Sequence, residues 1–302
     1  MITVYPHNKV SWIDVENPTH EDISELIKTY GIHPACAEEL LTPTERAKVD
    51  LYDNAMFLVL HYPDHPADRT SAGEIEIDFI VMKDTMITVH YQPIDTLIEF
   101  AEQFKVASML DRIPQKSGGH LFFTVNNLLY RGLLLELETV QNEVKKAESR
   151  IFSGHELQMV RELSDLHRKI LDYKQSFRYH ASVLKSFESQ SAKFFGESFE
   201  PVSETIMGEF LKVENLVENE RDLLRELRDT NDSLLTAKNN DVTKKLTLMA
   251  FVTFPLALVA TVLLSPDSPQ LFHGPYGFEI IVGILFVMFV GMHLYFTYKK
   301  WI

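Results

Sequence analysis

The chain has 302 residues, with 29 Lys or Arg against 43 Asp or Glu, which gives a formal charge of −14. This acidic balance argues against a general nucleic-acid-binding protein, because such a protein needs a basic surface to replace phosphate counterions. The single cysteine, Cys36, excludes an intrachain disulfide framework and suits a reducing compartment.

Residues 1–106 are predicted to form a mixed α/β domain on the cytosolic side. The opening residues have neither the basic nor the apolar segment of a secretory signal, so none is expected. Residues 10–15 alternate in a way that is typical of a strand. Thr19 and Asp22 have the spacing of a capping box, which predicts the start of a helix.

Later parts of this domain continue the mixed pattern. Three stretches rich in Val, Ile, Phe or Met are predicted strands, over residues 55–61, 74–83 and 86–90, and a turn is expected between the last two. Pro93 is expected to open an amphipathic helix with an apolar face of Leu97, Ile98 and Phe104.

The region 107–200 changes to a helical period. Long helices are predicted over residues 120–152 and 156–187, separated at Ser153-Gly154, and residues 194–201 are expected to break the pattern. The second helix carries an apolar stripe that is interpreted as core rather than as a cofactor site: Leu157, Val160, Ile170, Tyr173, Phe177 and Leu184.

Residues 201–245 are predicted to form a stalk helix that continues into the membrane. No proline occurs between Pro201 and Pro255, and apolar residues recur at steps of three and four: Phe210, Val213, Val217, Leu224, Leu227 and Leu234. Polar Glu220 and Asn231 interrupt this seam. A single helix over 203–264 would have 62 residues and measure roughly 90 Å. It requires neighbours along its length, from this chain or from copies of it.

The region 246–302 is predicted to be transmembrane. Residues 246–264 and 280–298 are uncharged stretches of 19 residues each, close to the about 20 residues that cross a bilayer as a helix. Lys244-Lys245 and Lys299-Lys300 flank them, while the loop 265–279 has no Lys or Arg. The positive-inside rule then places both termini in the cytoplasm and the loop outside. The alternative is a pair of buried core helices.

Signatures of enzymes are absent from the sequence. It contains no phosphate-binding loop, no dinucleotide glycine fingerprint, no nucleophile elbow and no paired-cysteine metal motif. The chain is therefore not expected to be an enzyme, and no covalent cofactor is expected.

Several motifs resemble the CorA superfamily of metal-ion transporters, which includes ZntB-type zinc transporters. The resemblance covers essentially the whole chain in order. It rests on Trp12-Ile13-Asp14 with Pro18, Ile87-Thr88-Val89, Asn240-Asp241-Val242-Thr243-Lys244-Lys245-Leu246-Thr247, Phe254-Pro255-Leu256, Gly277-Phe278 and Lys299-Lys300-Trp301-Ile302. It implies a cytosolic α+β domain, long stalk helices, two C-terminal spans in the inner (plasma) membrane and a funnel-shaped assembly.

The chain departs from the family at its signature, a Gly-Met-Asn triad that ends the first span. Counted from Pro255, that place holds Leu264, Ser265 and Pro266. The outer loop of the family is often acidic, whereas only Asp267 and the border residue Glu279 are charged here. The resemblance therefore implies the fold and membrane topology more strongly than the identity of an ion.

Two helices cannot enclose a water-filled path, so conduction requires several copies around an axis. The resemblance implies a homopentamer whose pore is lined by the first span. The expected pore-lining stripe has small or hydroxylated residues at steps of three and four: Asn240, Thr243, Thr247, Ala250, Phe254, Ala257 and Thr261. The opposite stripe has large aliphatic residues that suit lipid or the second span. The alternative for the small residues is plain helix–helix packing.

Candidate metal ligands also occur outside this stripe. The stalk acids Asp222, Asp229 and Asp232 could bind regulatory divalent cations, or simply be solvated or paired. The segment with His61, Asp64, His65 and Asp68 has metal-ligand residue types in a Pro-containing loop, where surface residues are the alternative. His293 lies within the second span, where a polar group is a functional candidate. Because the family resemblance implies that this span lies outside the pore, a packing or interfacial role is expected instead.

These patterns lead to three functional hypotheses. The first is a CorA-like homopentameric channel that passes divalent cations down their gradient, with Mg²⁺ first and Co²⁺, Ni²⁺ or Zn²⁺ next, gated by the cytosolic domain. The second is a CorA-fold membrane effector or sensor with altered or little ion selectivity. The third is a structural or regulatory subunit that does not transport. The expected partners are copies of the chain, the lipid bilayer and divalent metal ions that act as substrate and regulator.

Overall fold

The computed structural model describes residues 1–7, 10–64, 73–110, 114–265, 269, 272 and 274–299. The chain forms two compact units, Met1–Asp229 and Thr230–Ile302. The predicted division of the chain into four regions, with boundaries at residues 106, 200 and 245, stays a prediction.

A six-stranded mixed sheet forms the centre of the first unit. Its strands are β1 (Ile2–His7), β2 (Val10–Glu16), β3 (Lys48–Leu51), β4 (Met56–Asp64), β5 (Gly73–Val81) and β6 (Thr85–His90). They are ordered β1-β2-β6-β5-β4-β3, and only the β2–β6 pair is parallel among the described strands. The four predicted strands, which are now β2, β4, β5 and β6, are confirmed. The edge strands β1 and β3 were not predicted.

The described residues also form eight α-helices. They are α1 (His20–Tyr30), α2 (Pro34–Glu39), α3 (Asp95–Met109), α4 (Gly118–Phe152), α5 (Glu156–Ser176), α6 (His180–Phe195), α7 (Glu200–Leu263) and α8 (Gly277–Tyr298). The capping box at the start of α1 is confirmed. The Thr19 hydroxyl accepts from the Asp22 amide at 3.2 Å, and the Asp22 carboxylate accepts from the Thr19 amide at 3.0 Å.

Each face of the sheet has its own apolar core, because successive strand residues point to opposite sides. One core contains residues of α1, α2 and the facing strand positions, such as Leu26, Leu40 and Ile80. The other is aromatic: Trp12 stacks on Tyr5 at 4.6 Å between ring centroids and lies 4.7 Å from Phe100 of α3. Buried side chains on both faces fix the register of the sheet.

The predicted single helix over 156–187 is wrong, because the chain turns between α5 and α6. His180, at the start of α6, is fully buried. Its Nε2 lies 2.7 Å from the His61 carbonyl and its Nδ1 lies 3.0 Å from the Tyr130 hydroxyl. Both ring nitrogens of the buried His180 therefore have hydrogen-bond partners. These hydrogen bonds stabilise the turn at which the helix is interrupted. The predicted stripe is also partly wrong, since Leu157 and Val160 are 75% and 49% exposed.

Two other boundaries also differ from the prediction. Pro93 precedes α3 rather than opening it, because Ile94 keeps an extended backbone as the N-cap. Ile98 is exposed, while Leu97 and Phe104 are buried as expected. The break expected at 194–201 is shorter, because α6 continues to Phe195 and a 3₁₀ turn, Glu197–Phe199, leads directly into α7.

The long helix α7 confirms the predicted stalk and first span as one element of 64 residues. Its heptad seam is buried as expected at Phe210, Val213, Val217, Leu224 and Leu227, and Leu234 is half-buried. The polar positions Glu220 and Asn231 are buried as well, at 3% and 1% exposure. Phe210 packs against aromatic rings of α4 and α6, namely Tyr130 and His180.

Two helices, α7 in its C-terminal part and α8, are long and apolar enough to cross a membrane. Only 6% of the apolar window in α7 and 11% of that in α8 is buried. Core helices of a soluble protein are mostly buried, so the exposure favours membrane spans over that alternative. Pro255 lies within α7 without ending it.

Candidate functional site

The predicted pore-lining stripe lies on α7 within the second unit. Six of its seven residues are exposed and Ala250 is half-buried. The opposite stripe is more covered: Leu248 is 8% exposed, and Val252, Leu256 and Val259 are half-buried. The small and hydroxylated face is therefore left uncovered by this chain, together with large apolar residues beside it such as Met249 and Leu258. Whether it lines a pore stays a prediction.

The hydroxyl groups of this stripe are oriented by the helix itself. Thr247 donates its hydroxyl to the Thr243 carbonyl at 2.8 Å, and Thr261 donates to the Ala257 carbonyl at 2.8 Å. A hydroxyl that donates to the preceding turn keeps only oxygen lone pairs for outside partners. The stripe therefore offers acceptors, which suit a cation or the O–H groups of its water shell.

Phe254 gives this stripe one large apolar group. Its ring is 74% exposed, next to Pro255. Proline has no amide hydrogen, so the Phe251 carbonyl receives no helical hydrogen bond from Pro255.

The triad position lies just beyond the end of α7. Leu264 is 62% exposed and Ser265 is half-buried, whereas Pro266 lies outside the described residues. Of the two outer-loop acids, Asp267 also lies outside them, and Glu279 is exposed in the first turn of α8. The asparagine place of the triad is Pro266, whose side chain has no hydrogen-bonding atom to bind a hydrated cation.

The predicted stalk acids are exposed on α7. Asp222 accepts from the neighbouring guanidinium of Arg221 at 2.8 Å, which accounts for it as a surface ion pair. Asp229 and Asp232 lie further along the helix. Within the described part of the chain, no group of three or more His, Cys, Asp or Glu side chains is arranged to hold a metal ion. A metal role for these acids stays a prediction.

His61 does not belong to a surface loop as expected. It lies in β4 and is 8% exposed, with its Nε2 at 2.9 Å from the Thr44 carbonyl and 3.2 Å from a carboxylate oxygen of Glu76. The strand continues to Asp64, and His65 and Asp68 lie outside the described residues. The His61 side chain points into the protein from β4, so the interpretation of His61 as a surface loop residue was wrong.

The other predicted histidine, His293, is exposed on α8. Its ring is stacked on Phe289 with 6.4 Å between the centroids and an interplanar angle of 9°. This contact is consistent with the expected packing role.

A buried carboxyl pair next to His61 was missed by the sequence analysis. Asp78 is fully buried, its Oδ2 accepts from the Tyr91 hydroxyl at 3.0 Å, and its Oδ1 has no hydrogen-bond partner among the described residues. Desolvation, followed by the charge of Glu76, raises the pKa of Asp78 well above its usual value. This shift favours the neutral form of Asp78. The strand alternation of Glu76 and Asp78 was the available signal in the sequence.

A basic groove between α5 and α7 was also missed. It has a volume of about 620 Å³ and is lined by three arginines of α7 together with His167 and leucines. The arginines are Arg221, Arg225 and Arg228, whose spacing of four and three places them on one helix face. That spacing was visible in the sequence.

Comparisons with known proteins agree with this architecture. A family model described as CorA-like Mg²⁺ transporter protein matches residues 7–300, so the chain belongs to the CorA family. The cobalt/magnesium transport protein CorA of Thermotoga maritima is 22% identical over 295 residues, which are 97% of this chain and 83% of that protein.

Two solved structures show the same fold. The complete structure of the CorA magnesium transporter from Methanocaldococcus jannaschii is similar with a TM-score of 0.82 and 17% identity, over 97% of this chain and 92% of that one. The ZntB cytoplasmic domain from Vibrio parahaemolyticus is similar with a TM-score of 0.58 and 12% identity, over 76% of this chain and 89% of that one.

Proposed function

We propose that this protein is a homopentameric membrane channel that passes divalent metal cations, Mg²⁺ first, down their electrochemical gradient. The observation that carries the proposal is the family match over 7–300, which includes the α/β unit and both apolar helices. Relatives over most of that length include a cobalt/magnesium transport protein. The likeness to the ZntB cytoplasmic domain supports a cytoplasmic position for most of the first unit.

The uncovered face of α7 supplies the chemistry of conduction. Five copies would form rings of Asn240, Thr243 and Thr247 oxygens around the axis. Mg²⁺ sheds its waters reluctantly, so rings of neutral acceptors that bind the water shell suit it better than a tight protein cage. The aromatic ring of Phe254 would form the apolar gate.

Charge supports a cation rather than an anion as substrate. Each chain has a formal charge of −14, which is repeated in every copy of an oligomer. A negative funnel on the cytoplasmic side concentrates cations and repels anions. By the positive-inside rule, the lysine pairs before the first span and after the second support a cytoplasmic position of both termini. The membrane we propose is the inner (plasma) membrane.

The replacement of the triad favours a second candidate function. Pro266 takes the place of the asparagine and has no side-chain oxygen or amide, so it cannot form the asparagine ring that the family resemblance implies at the outer entrance. In this alternative, the protein is a CorA-fold effector or sensor whose cytosolic unit binds a ligand and whose pore has altered or little ion selectivity.

The decisive experiment measures Mg²⁺ flux in liposomes that contain the full chain and a Mg²⁺-sensitive dye. We expect flux in the wild type, and a loss of at least tenfold in Thr243→Leu, because a bulky aliphatic group replaces an oxygen on the uncovered face. Thr243→Ser keeps the hydroxyl and should retain most of the flux. Val242→Leu is the matched control, because Val242 is exposed and lies off the stripe.

Each outcome separates the candidates. Absence of flux for every divalent cation in the properly assembled wild type contradicts the channel and favours the sensor. Equal flux in Thr243→Leu and Val242→Leu would contradict the assignment of the pore face. Flux of monovalent and divalent ions at similar rates would support the alternative with altered selectivity.

A further inference from the structure

The basic groove of the first unit is open to solvent and has an apolar floor. Leu163 of α5 and Leu224 of α7 form the floor and are 3% and 2% exposed. Leu171 forms part of the wall and is 43% exposed. The volume of about 620 Å³ lies within the roughly 300–1,000 Å³ that small-molecule sites occupy.

Cationic side chains predominate among the residues that line the groove. Arg221, Arg225 and Arg228 line it together with His167, and Asp229 is the carboxylate among the lining residues. Arg221 is paired with two carboxylates, which leaves Arg225 and Arg228 as the arginines of the groove that could pair with an anionic partner.

The three arginines differ in their partners. Arg221 is held by two carboxylates, with Nη1 at 2.6 Å from Glu218 and Nη2 at 2.8 Å from Asp222. Arg225 and Arg228 are exposed, and neither forms an ion pair with a carboxylate in the described part of the chain. Their guanidinium groups are therefore the ones available to an anion bound in the groove.

We propose that this groove binds a soluble nucleoside polyphosphate. Guanidinium groups pair with phosphate through two parallel hydrogen bonds, which makes Arg225 and Arg228 the expected phosphate contacts. Leu171 and the leucine floor would contact the flat, weakly polar base. The site does not depend on transport, because all its residues lie within Met1–Asp229. It adds a metabolite-binding role that the proposed transport of metal ions does not require.

The test is calorimetric titration of the full chain in detergent with ATP, tripolyphosphate and adenosine as separate probes, without divalent cations. We expect saturable ATP binding that weakens at least tenfold in the double variant Arg225→Gln/Arg228→Gln. The control Arg161→Gln/Arg168→Gln removes two exposed arginines of α5 that do not line the groove, and it should bind ATP as the wild type does. Higher salt should weaken binding, because exposed charges are screened.

The leucine floor is tested separately. Leu171→Ala should weaken ATP more than tripolyphosphate, because only ATP has a base. No saturable ATP binding by the folded wild type overturns the proposal, as does equal loss in the two double-arginine variants. A changed subunit number in Arg225→Gln/Arg228→Gln, without ATP binding by the wild type, would assign the groove to a second copy of the chain and overturn it as well.

Discussion

Gln141 of α4 donates a hydrogen bond from Nε2 to Oε1 of Glu220 on α7, at 2.9 Å. The carboxyl group lies within the buried heptad seam, and its other oxygen, Oε2, has no hydrogen-bond partner among the described residues. A neutral amide compensates only part of the cost of removing a carboxyl group from water. The pair therefore aligns α4 with α7 at the expense of stability.

Glu220→Gln is expected to raise the free energy of unfolding by about 1 kcal/mol, because two amides can pair without a buried charge. Gln141→Leu should lower it by about 2 kcal/mol, because Glu220 loses its hydrogen bond. Thermal unfolding of the full chain in detergent provides the measurement. Glu226→Gln on the exposed face of α7 is the control and should leave the midpoint unchanged. A lower midpoint in Glu220→Gln would show that the carboxylate contributes net stability.

The stability of the α/β unit should depend on the protonation of His90. Burial disfavours the charged ring, but the hydrogen bond and attraction to Asp14, at 3.3 Å from Nε2, together with the Gln92 carbonyl raise its pKa. A raised pKa in the folded state gives stability that is present below the unfolded value of about 6.5 and lost as pH rises through the folded pKa. Between these pH values we expect the wild type to lose stability relative to His90→Gln.

Unfolding curves at several pH values between about 6 and 8 measure this difference around the unfolded pKa. The pKa of His61 is raised as well, so both histidines contribute to the pH dependence of the wild type. The comparison with His90→Gln isolates the contribution of His90. His20→Gln, at the exposed start of α1, is the matched control. Its free energy of unfolding should change with pH as that of the wild type does. If the free energy of unfolding changed with pH equally in His90→Gln and in the wild type, the pair of His90 and Asp14 would not contribute to the pH dependence of stability.

The start of α4 requires glycine because it lies against the β5–β6 turn. A methyl group on Gly118 would overlap the carbonyl oxygens of Met82 and Thr85. Gly118→Ala should therefore lower the unfolding midpoint strongly, with a loss of at least about 2 kcal/mol from displaced backbone. Gly208→Ala on α7 meets no atom within 4 Å and should be neutral or stabilising by about 0.5–1 kcal/mol. Equal effects of the two variants would contradict the close approach.

The number of subunits tests the pore model directly. Native mass spectrometry of the detergent-solubilised chain is expected to give five copies, because a water-filled path requires several α7 helices around one axis. Thr243→Leu should give the same number, since it is designed to change the path and not the assembly. A stable dimer would contradict conduction along the uncovered face of α7.

Gating by cytosolic metal can be tested on the same liposomes. If divalent cations at the stalk acids close the channel, a chelator on the cytosolic side should raise flux in the wild type. Asp229→Asn/Asp232→Asn should have raised flux before chelation and respond little to it. Glu226→Gln on the same helix should behave as the wild type does. Unchanged flux after chelation would indicate a different gate.

The errors of the sequence analysis have one physical origin. A helical period is a local property, so it does not show where another element interrupts it. The turn before His180 depends on the Tyr130 hydroxyl and on a β4 carbonyl, which lie 50 and 119 residues away in the chain. His61 was misassigned for the same reason, because its partners are on β5 and in the loop with Thr44.

The sequence by itself determined the long α7 helix, the two apolar helices and the four central strands, because periodicity and the absence of charge act over neighbouring residues. It also determined the family, since motifs along the whole chain resemble CorA proteins. Only the tertiary structure decided which polar groups are buried or paired: Glu220 meets Gln141, Asp78 is buried next to Tyr91, and the arginines of α7 line a groove with α5. Burial and pairing depend on elements far apart in the chain, so a local pattern shows which residues share a face but not what that face meets.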